Sequence, residues 1–320
     1  MIKLSNKARG IKPSPTLAVM SKAKEYIAKG IDVINFGVGE PDFNTPEYVK
    51  NAGIKAIEDN FTRYTPTPGI LPLREAVCVK LKRDNNLEYK PSQVLVSPGA
   101  KASIVNVLTA ICDAGDQVII PVPYWVSYPD QVKIAGGESL FMDTTIEDGF
   151  KINPVNLKSL IEANPNVKAL FLNNPNNPTG SIYSKDELIA LGDICVEYNV
   201  VIIADEIYEK LVYDGAKHYS IAALKPEYKD ITVIINGVSK AYAMTGWRLG
   251  YSVGPQEIIS QGIVTDVELC TYLLDEFKIA VVPGSAFGNK VLTRFSYANS
   301  IDNLREGVKR FELGLKSLLT

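Results

Sequence analysis

Histidine and cysteine are scarce in this sequence, and their scarcity excludes several kinds of catalytic site. The only histidine among 320 residues is His218, whose polar, tyrosine-flanked surroundings predict a surface loop. A Ser-His-Asp triad would need that residue, so such a triad is not expected. The four cysteines lie far apart and form no C-x-x-C pair, which argues against a disulfide framework and a zinc site and fits a reducing cytoplasm. We therefore predict no metal site, and we expect the chemistry to depend on lysine, carboxylate, tyrosine or a cofactor.

Long apolar runs and dense basic clusters are also lacking. No stretch approaches the length of a membrane span, and the first residues lack the apolar core of a signal peptide. The net charge is only −2, so neither a membrane nor nucleic acid is expected as a partner. What the chain does have is 46% hydrophobic residues, enough to bury a large core and to divide into two domains. We predict a cytoplasmic, two-domain protein.

Short apolar runs rich in β-branched residues alternate with helical patterns through the middle of the chain. The predicted strands cover residues 93–97, 117–122, 169–173, 200–205, 232–236 and 249–253. The helical patterns between them include residues 102–111 and 185–197, the second opened by a capping-box pattern at Ser184 and Glu187. This alternation predicts an α/β fold with a mostly parallel sheet, and in such sheets ligands bind at the carboxyl ends of the strands.

The two ends of the chain have a different pattern and predict a smaller domain. After residue 254 we predict a helix at 266–277, strands at 279–282 and 292–297, and a closing helix at 302–319. The first forty residues also lack the regular strand and helix alternation. We therefore predict a large domain over residues 41–255 and a small domain built from residues 1–40 plus 256–320.

Lys240 and Asp205 both follow predicted buried strands. Burial lowers the pKa of an amine and leaves it nucleophilic, and such lysines form Schiff bases with carbonyl compounds, including pyridoxal phosphate. Taken alone, Lys240 would be read as a surface lysine. Asp205 is either the N-cap of the next helix or a counter-ion for a pyridine nitrogen. Tyr208, three residues later, either packs in the core or hydrogen-bonds the 3′ oxygen of such a ring.

Other segments supply groups that suit a flat, phosphorylated cofactor. The turn at Gly99 and Ala100 presents backbone N–H groups at a helix start, where anions bind, and Ser239 and Arg248 are further phosphate ligands. Trp125 offers an indole face for stacking, although buried aromatic residues more often belong to the core.

Two polar side chains at strand ends are candidate ligands of a cofactor and a substrate. Asn177 lies in an Asn-Pro-rich turn after a strand and could donate its amide to a cofactor oxygen. Arg294 is a charge in an apolar strand, either edge-exposed or paired, and its fork suits a carboxylate.

In their order along the chain, these segments resemble the class I pyridoxal-phosphate aminotransferases of fold type I. The bacterial aspartate aminotransferase subgroup Ib, which includes enzymes that also accept prephenate, is the most similar. The matching segments are KPSPT (12–16), GVGEPDF (37–43), YTPTPG (64–69), PYWVSYP (123–129), NNPTG (176–180), DEIYE (205–209), residues 239–251, VPGS (282–285) and RFSYA (294–298). The resemblance implies the fold type I α/β architecture and a homodimer with shared active sites.

The resemblance also implies a role for each residue at the cofactor. Lys240 holds pyridoxal 5′-phosphate as a Schiff base and moves the substrate's Cα proton, while Asp205 pairs with the pyridinium. Tyr208 and Asn177 contact the 3′ oxygen, and Trp125 stacks on the ring. The implied phosphate-binding residues are Gly99, Ala100, Lys101, Ser239 and Arg248, together with Tyr64, which reaches the phosphate of the partner subunit.

For the amino-acid and 2-oxo-acid substrates, the resemblance implies a clamp on each carboxylate. Arg294, helped by the Gly39 backbone and by Asn177, binds the α-carboxylate, and Trp125 is a further substrate-binding residue. Lys101 and Thr16 correspond to positions that read the distal carboxylate of a dicarboxylic substrate.

The chain departs from the family near residues 261–263. Relatives carry several tens of residues there, including the helix that links the domains and part of the small domain. Either the printed sequence omits a segment or the protein has a real internal deletion. A real deletion would expose apolar surface and weaken domain closure and dimerisation.

The expected function is transamination of aspartate and 2-oxoglutarate to oxaloacetate and glutamate. One alternative is a prephenate or aromatic aminotransferase, or a carbon–sulfur lyase, on the same scaffold. Another is a protein that binds pyridoxal phosphate but whose catalysis is impaired by the deletion. A cofactor-dependent transcription factor is not expected, because no DNA-binding module precedes the aminotransferase-like region.

Overall fold

The structure, a computed structural model, describes residues 9, 15–34, 36–37, 39–259, 273–274, 276–283, 293–294, 296 and 298–317. The chain forms two compact units, Met1–Gln261 and Gly262–Thr320. Residues 1–40 fall in the first unit in this division, so the small domain predicted from residues 1–40 plus 256–320 stays a prediction. The site of the expected deletion, residues 261–263, lies outside the described residues.

Seven strands of the first unit form one sheet. They are β1 (Val94–Ser97), β2 (Gln117–Val122), β3 (Glu138–Asp143), β4 (Val167–Asn173), β5 (Val201–Asp205), β6 (Thr232–Gly237) and β7 (Gly250–Val253), in the order β1-β7-β6-β5-β4-β2-β3. Strands β2 to β6 pair in parallel, whereas β7 runs antiparallel to both β1 and β6. The predicted mostly parallel α/β sheet is therefore confirmed.

Helices precede, connect and follow these strands along the first unit. In chain order they are α1 (Pro15–Ala28), α2 (Glu47–Glu58), α3 (Leu71–Asn85), α4 (Ala100–Ile111), α5 (Tyr128–Ala135), α6 (Pro154–Ala163), α7 (Lys185–Glu197), α8 (Pro226–Ile231) and α9 (Gln256–Ile259). The capping box predicted at the start of α7 is confirmed. The backbone N–H of Glu187 donates to Ser184 Oγ at 3.3 Å, and the backbone N–H of Ser184 donates to Glu187 Oε2 at 2.7 Å.

Successive residues of β4 face opposite sides of the sheet, and each side has its own core. Leu170 and Leu172 pack in a buried cluster with side chains of α6 and α7. Ala169 and Phe171 pack in a second cluster with side chains of α4 and α5. Burial of one leucine side chain contributes about 1.5–3 kcal/mol. The two cores hold the strands of the parallel sheet in register, and so fix the positions at which their carboxyl ends meet.

The second unit has a two-stranded sheet and a long helix among its described residues. Strand β8 (Val282–Pro283) pairs antiparallel with β9 (Thr293–Arg294), and α10 covers Ile301–Ser317. The strand predicted at 279–282 is therefore wrong in its bounds, since residues 279–281 are outside any strand. Most of the helix predicted at 266–277 lies outside the described residues, although residues 273–274 and 276–277 are helical.

Among the described helices, none has the length and apolarity needed to cross a bilayer.

Candidate active site

A cavity of about 300 Å³ lies where the sequence placed its candidate site, at the carboxyl ends of the parallel strands. Most of the predicted site residues line it. These are Gly39, Ala100, Lys101, Trp125, Asn177, Asp205, Tyr208, Ser239, Lys240 and Arg248. The structure thus brings together side chains from six separate segments of the chain.

Asp205 ends β5 and is a buried carboxylate with two hydrogen bonds. It is 4% exposed. Its Oδ2 accepts from Tyr128 Oη at 2.7 Å, and its Oδ1 accepts from the backbone N–H of Ile207 at 3.3 Å. Burial raises the pKa of Asp205 to about 6, and the two hydrogen bonds oppose that rise. No lysine or arginine of the described residues forms an ion pair with Asp205, so this carboxylate suits a cationic ring nitrogen in the cavity.

Tyr208 and Asn177 lie together beside Asp205. Asn177 Nδ2 donates to Tyr208 Oη at 3.2 Å. The backbone N–H of Asn177 donates to Asn173 Oδ1 at 2.7 Å, and Asn173 Nδ2 donates to the carbonyl of Asp205 at 2.9 Å. The asparagine-rich turn after β4 is therefore tied to the end of β5, which fixes the amide of Asn177 next to the phenol of Tyr208.

Lys240 follows β6 and is half-buried. Its Nζ donates to the carbonyl of Gly39 and lies 5.7 Å from the ring centroid of Tyr208. Burial lowers the pKa of Lys240, Arg248 lowers it further, and Glu40 opposes both effects. A larger fraction of the amine is therefore unprotonated than in a free lysine, as a nucleophile or a proton acceptor requires.

The start of α4 and Arg248 form a close-packed group suited to an anion. Gly99 is the residue before α4 and has a φ of 89°, a conformation that favours glycine. A Cβ at Gly99 would overlap the Arg248 guanidinium, so only glycine allows this approach. Arg248 Nη1 donates to the carbonyl of Thr245 at 2.9 Å, and Ser239 is buried beside the cavity. Backbone N–H groups, a hydroxyl and a guanidinium together suit a phosphate.

Trp125 presents its indole to the cavity. Lys101 Nζ lies 5.0 Å from the Trp125 ring centroid. Trp125 also packs edge-on against Tyr128, with ring centroids 5.4 Å apart. Lys101 is exposed, so its ammonium is accessible to an anionic ligand at the cavity.

Two predicted site residues of the first unit, Tyr64 and Gly99, are not part of the cavity lining. Tyr64 is fully exposed. Arg294 is an exposed residue of β9 in the second unit. Thr16 lies on α1, and its side chain is outside the described residues.

Sequence reasoning missed four residues that line the cavity. They are Tyr128, Asn173, Ile207 and Thr245. Asn173 ends β4 and pairs in register with Asp205, so the parallel alignment of the two strands could have indicated it. The role of Tyr128 had no local signal, because its partner Asp205 is 77 residues away in sequence.

His218 lies in a loop, but the prediction that it is exposed at the surface is wrong. His218 is half-buried, and burial lowers its pKa to about 4. Ligand atoms of His218, Glu206 and Glu209 lie within 4.8 Å of one another. Glu209, however, forms an ion pair with Lys80 and accepts from Asn85 Nδ2 at 3.3 Å. Its charge is therefore already compensated by the protein.

Comparison with known proteins connects the whole chain to aminotransferases. The sequence profile described as Aminotransferase class I and II matches residues 31–264. The aspartate aminotransferase of Bacillus subtilis is 39% identical over 388 positions, covering 97% of this chain and 98% of the relative. The aspartate/prephenate aminotransferase of Nitrosomonas europaea is 39% identical, covering 97% and 98%. Among solved structures, Thermus thermophilus aspartate aminotransferase with maleate has a TM-score of 0.77 and 34% identity, covering 98% of this chain and 100% of that one.

The alignments are longer than the chain itself. The Bacillus subtilis relative aligns over 388 positions, whereas this chain has 320 residues in total. Tens of positions in that relative therefore have no counterpart here. That these positions lie near residues 261–263 stays a prediction.

Proposed function

The chain belongs to the aminotransferase class I and II family, and on that premise we propose that it transaminates aspartate and 2-oxoglutarate to oxaloacetate and glutamate with pyridoxal 5′-phosphate. One observation carries this proposal: the half-buried amine of Lys240 and the buried carboxylate of Asp205 line the same cavity. Among the described residues, Asp205 has no cationic partner. The amine is suited to hold a carbonyl compound, and the carboxylate to a protonated pyridine nitrogen.

The cofactor, when bound, withdraws electrons from the substrate's Cα and so makes its proton removable. Lys240, whose pKa is lowered by burial, would accept that proton on its Nζ and deliver it to an atom other than the Cα it left, as transamination requires. Asp205 stays ionised opposite the ring nitrogen, while Tyr208 and Asn177 donate hydrogen bonds to the ring oxygen. The backbone at Gly99 and Ala100, with Ser239 and Arg248, holds the phosphate.

We assign the substrate's two carboxylates to different cations. The resemblance to the family assigns the α-carboxylate to Arg294 and the distal carboxylate to Lys101 with Thr16. The exposed ammonium of Lys101 beside Trp125 supports the second assignment. The structure of the Thermus thermophilus relative with maleate also supports a dicarboxylate.

Prephenate is the second candidate substrate. The Nitrosomonas europaea relative is named an aspartate/prephenate aminotransferase, which supports this reading. Prephenate and aspartate both carry a carboxylate beyond the α-carboxylate, so Lys101 suits either.

We also propose that the active protein is a homodimer in the cytoplasm. Tyr64 is fully exposed, and Phe43 and Phe61 in neighbouring segments are largely exposed as well. Apolar surface of this kind supports a protein partner, and a second copy of the chain would allow Tyr64 to reach the phosphate of the cofactor in the other subunit.

Among the described residues the three cysteines Cys78, Cys112 and Cys195 are free thiols, which fits a reducing compartment.

Amino-donor and oxo-acceptor profiling tests the proposed reaction. Purified protein loaded with the cofactor is assayed with aspartate, glutamate and aromatic amino acids against 2-oxoglutarate, oxaloacetate and prephenate. We expect the largest kcat/KM for aspartate with 2-oxoglutarate. Preference for prephenate selects the second candidate, and cofactor binding without turnover supports a catalytically impaired protein. An intact mass of 35.0 kDa in the same preparation shows that the chain is truly short.

A further inference from the structure

Tyr128 contacts two other residues that line the cavity, Asp205 and Trp125, although no sequence motif gave it a role. It is the first residue of α5 and is 2% exposed. Its hydroxyl donates to Asp205 Oδ2 at 2.7 Å. Its ring stacks on Phe171 with centroids 4.1 Å apart and meets Trp125 edge-on at 5.4 Å.

These contacts leave the Tyr128 hydroxyl little freedom. The stacked Phe171 and the edge of Trp125 hold the ring from two directions, so the hydroxyl points to Asp205 without a side-chain rearrangement. Burial raises the pKa of Tyr128 well above its usual value, and the neighbouring Asp205 raises it further. The phenol therefore stays neutral and remains a donor throughout the physiological pH range.

Simple core packing does not account for the hydroxyl. Phenylalanine would fill the same space against Phe171 and Trp125, whereas only a hydroxyl satisfies Asp205 Oδ2. The other carboxylate oxygen receives a longer hydrogen bond, 3.3 Å, from the backbone of Ile207. A buried carboxylate needs such donors in order to stay ionised.

We propose that Tyr128 is a positioning residue whose hydroxyl keeps Asp205 ionised and oriented as the partner of the cofactor's ring nitrogen. This inference rests on the proposed use of pyridoxal phosphate at the same site. It goes beyond that proposal by naming what holds the counter-ion.

Cofactor affinity as a function of pH tests the proposal without relying on turnover. Cofactor-free wild-type protein and Tyr128→Phe are titrated with pyridoxal phosphate between pH 5 and 9, with binding followed by protein fluorescence. Loss of one hydrogen bond to a charged group is expected to weaken binding about tenfold. Asp205 would then protonate more readily, so the decline in affinity on acidification should begin at a higher pH in the variant. Unchanged affinity and an unchanged pH profile would overturn the proposal.

Tyr228→Phe is the matched control. Tyr228 is also a buried tyrosine whose hydroxyl donates to a carboxylate, Asp193 Oδ1, at 2.5 Å, but it lies in the core formed with α7, away from the cavity. This variant should lose stability and keep the wild-type pH profile of cofactor binding. If Tyr228→Phe changes the profile as Tyr128→Phe does, the effect is structural and the proposal is wrong.

A double-mutant comparison separates positioning from packing. If the hydroxyl of Tyr128 acts through Asp205, adding Tyr128→Phe to Asp205→Asn should weaken cofactor binding little further. Additive losses would show independent roles and contradict the proposal. Failure of the wild-type protein to bind the cofactor at any pH would defeat the proposed function itself, and this inference with it.

Discussion

At the scale of single residues, two adjacent carboxylic acids at the end of β5 differ in acidity although both are buried. Burial raises the pKa of Asp205 to about 6 and that of Glu206 to about 8. Asp205 accepts hydrogen bonds from Tyr128 and Ile207, which favour its charged form. Glu206 Oε2 has no hydrogen-bond partner among the described residues. The hydrogen bonds to Asp205 oppose the rise in its pKa, whereas the nearby charges of Glu209 and Asp205 add to the rise in the pKa of Glu206.

Replacing Asp205 by asparagine should have opposite effects on the cofactor-free and the cofactor-bound protein. The folded-state pKa of Asp205 is raised from 3.8 to about 6. In the wild-type protein, the preference of the folded state for protonated Asp205 contributes fully to the unfolding free energy below the unfolded-state pKa. This contribution is lost as the pH rises through about 6. Relative to wild type, cofactor-free Asp205→Asn should gain about 2–3 kcal/mol in unfolding free energy between pH 4 and pH 7.

Urea unfolding of both cofactor-free proteins at these two pH values measures that gain. Binding of pyridoxal phosphate to the variant should be weaker at both. A variant that gains no stability on going to pH 7 would show that Asp205 ionises in the folded protein without cost.

The residues that sequence could assign are those whose role follows from strand position. Asp205 ends the buried strand β5 and Lys240 follows β6 by three residues, so their place at the carboxyl edge of the sheet could be predicted. Tyr128 and the exposure of His218 could not, because both depend on which distant side chains pack against them. Glu206 and Glu209 enclose His218 through the tertiary fold, and nothing in its local sequence indicates that.

At the scale of elements, the strands of the sheet were predicted except for the edge strand β3. Buried strands such as β2 have continuous apolar runs, and the predicted bounds of β2 agree with the structure. Strand β3 was missed because it is an edge strand with a half-exposed, mixed sequence. The start of α4 was predicted two residues late, since the turn at Gly99 gives no side-chain cap to mark it.

The close approach of Gly99 and Arg248 gives a prediction for phosphate binding. A Cβ in Gly99→Ala would overlap the Arg248 guanidinium and displace it. Affinity for pyridoxal phosphate should fall about tenfold or more, as for one lost charge-assisted hydrogen bond, whereas affinity for pyridoxal, which lacks the phosphate, should change little. Equilibrium titration of the cofactor-free protein with both compounds checks this.

Gly149→Ala is the control for backbone strain. Gly149 has a φ of 63°, but a Cβ there meets nothing within 4 Å. Gly149→Ala should be less stable than wild type, without a selective loss of affinity for pyridoxal phosphate over pyridoxal. If Gly99→Ala lost affinity for both compounds equally, the turn at Gly99 would not bind the phosphate.

At the scale of the whole molecule, the chain has a cavity in its first unit although it is shorter than its relatives. The cavity residues of the first unit come from segments spread between residues 39 and 248. The alignment with the Bacillus subtilis relative nevertheless extends over 388 positions. Tens of positions of that relative thus have no counterpart in this chain, although the residues that line the cavity are present.

Subunit mixing tests the proposed shared active site. Tyr64→Ala and Lys240→Ala should each have little activity as homodimers. In a mixed dimer, one of the two sites has both natural residues, so a re-equilibrated equal mixture should recover about a quarter of wild-type activity. Steady-state assays before and after mixing measure this. Activity that stays at the level of the separate variants would mean that Tyr64 does not act across a dimer interface.

The most direct test of the central claim is the visible absorbance of the cofactor-loaded protein on addition of aspartate, in wild type and in Lys240→Ala. If Lys240 holds the cofactor and moves the proton, wild type should show a visible band that aspartate converts within one turnover. Lys240→Ala should lack the covalent attachment, and the band of any cofactor it retains should convert at least a thousandfold more slowly, because the proton acceptor is gone. Conversion by aspartate at equal rates in both proteins would contradict the account.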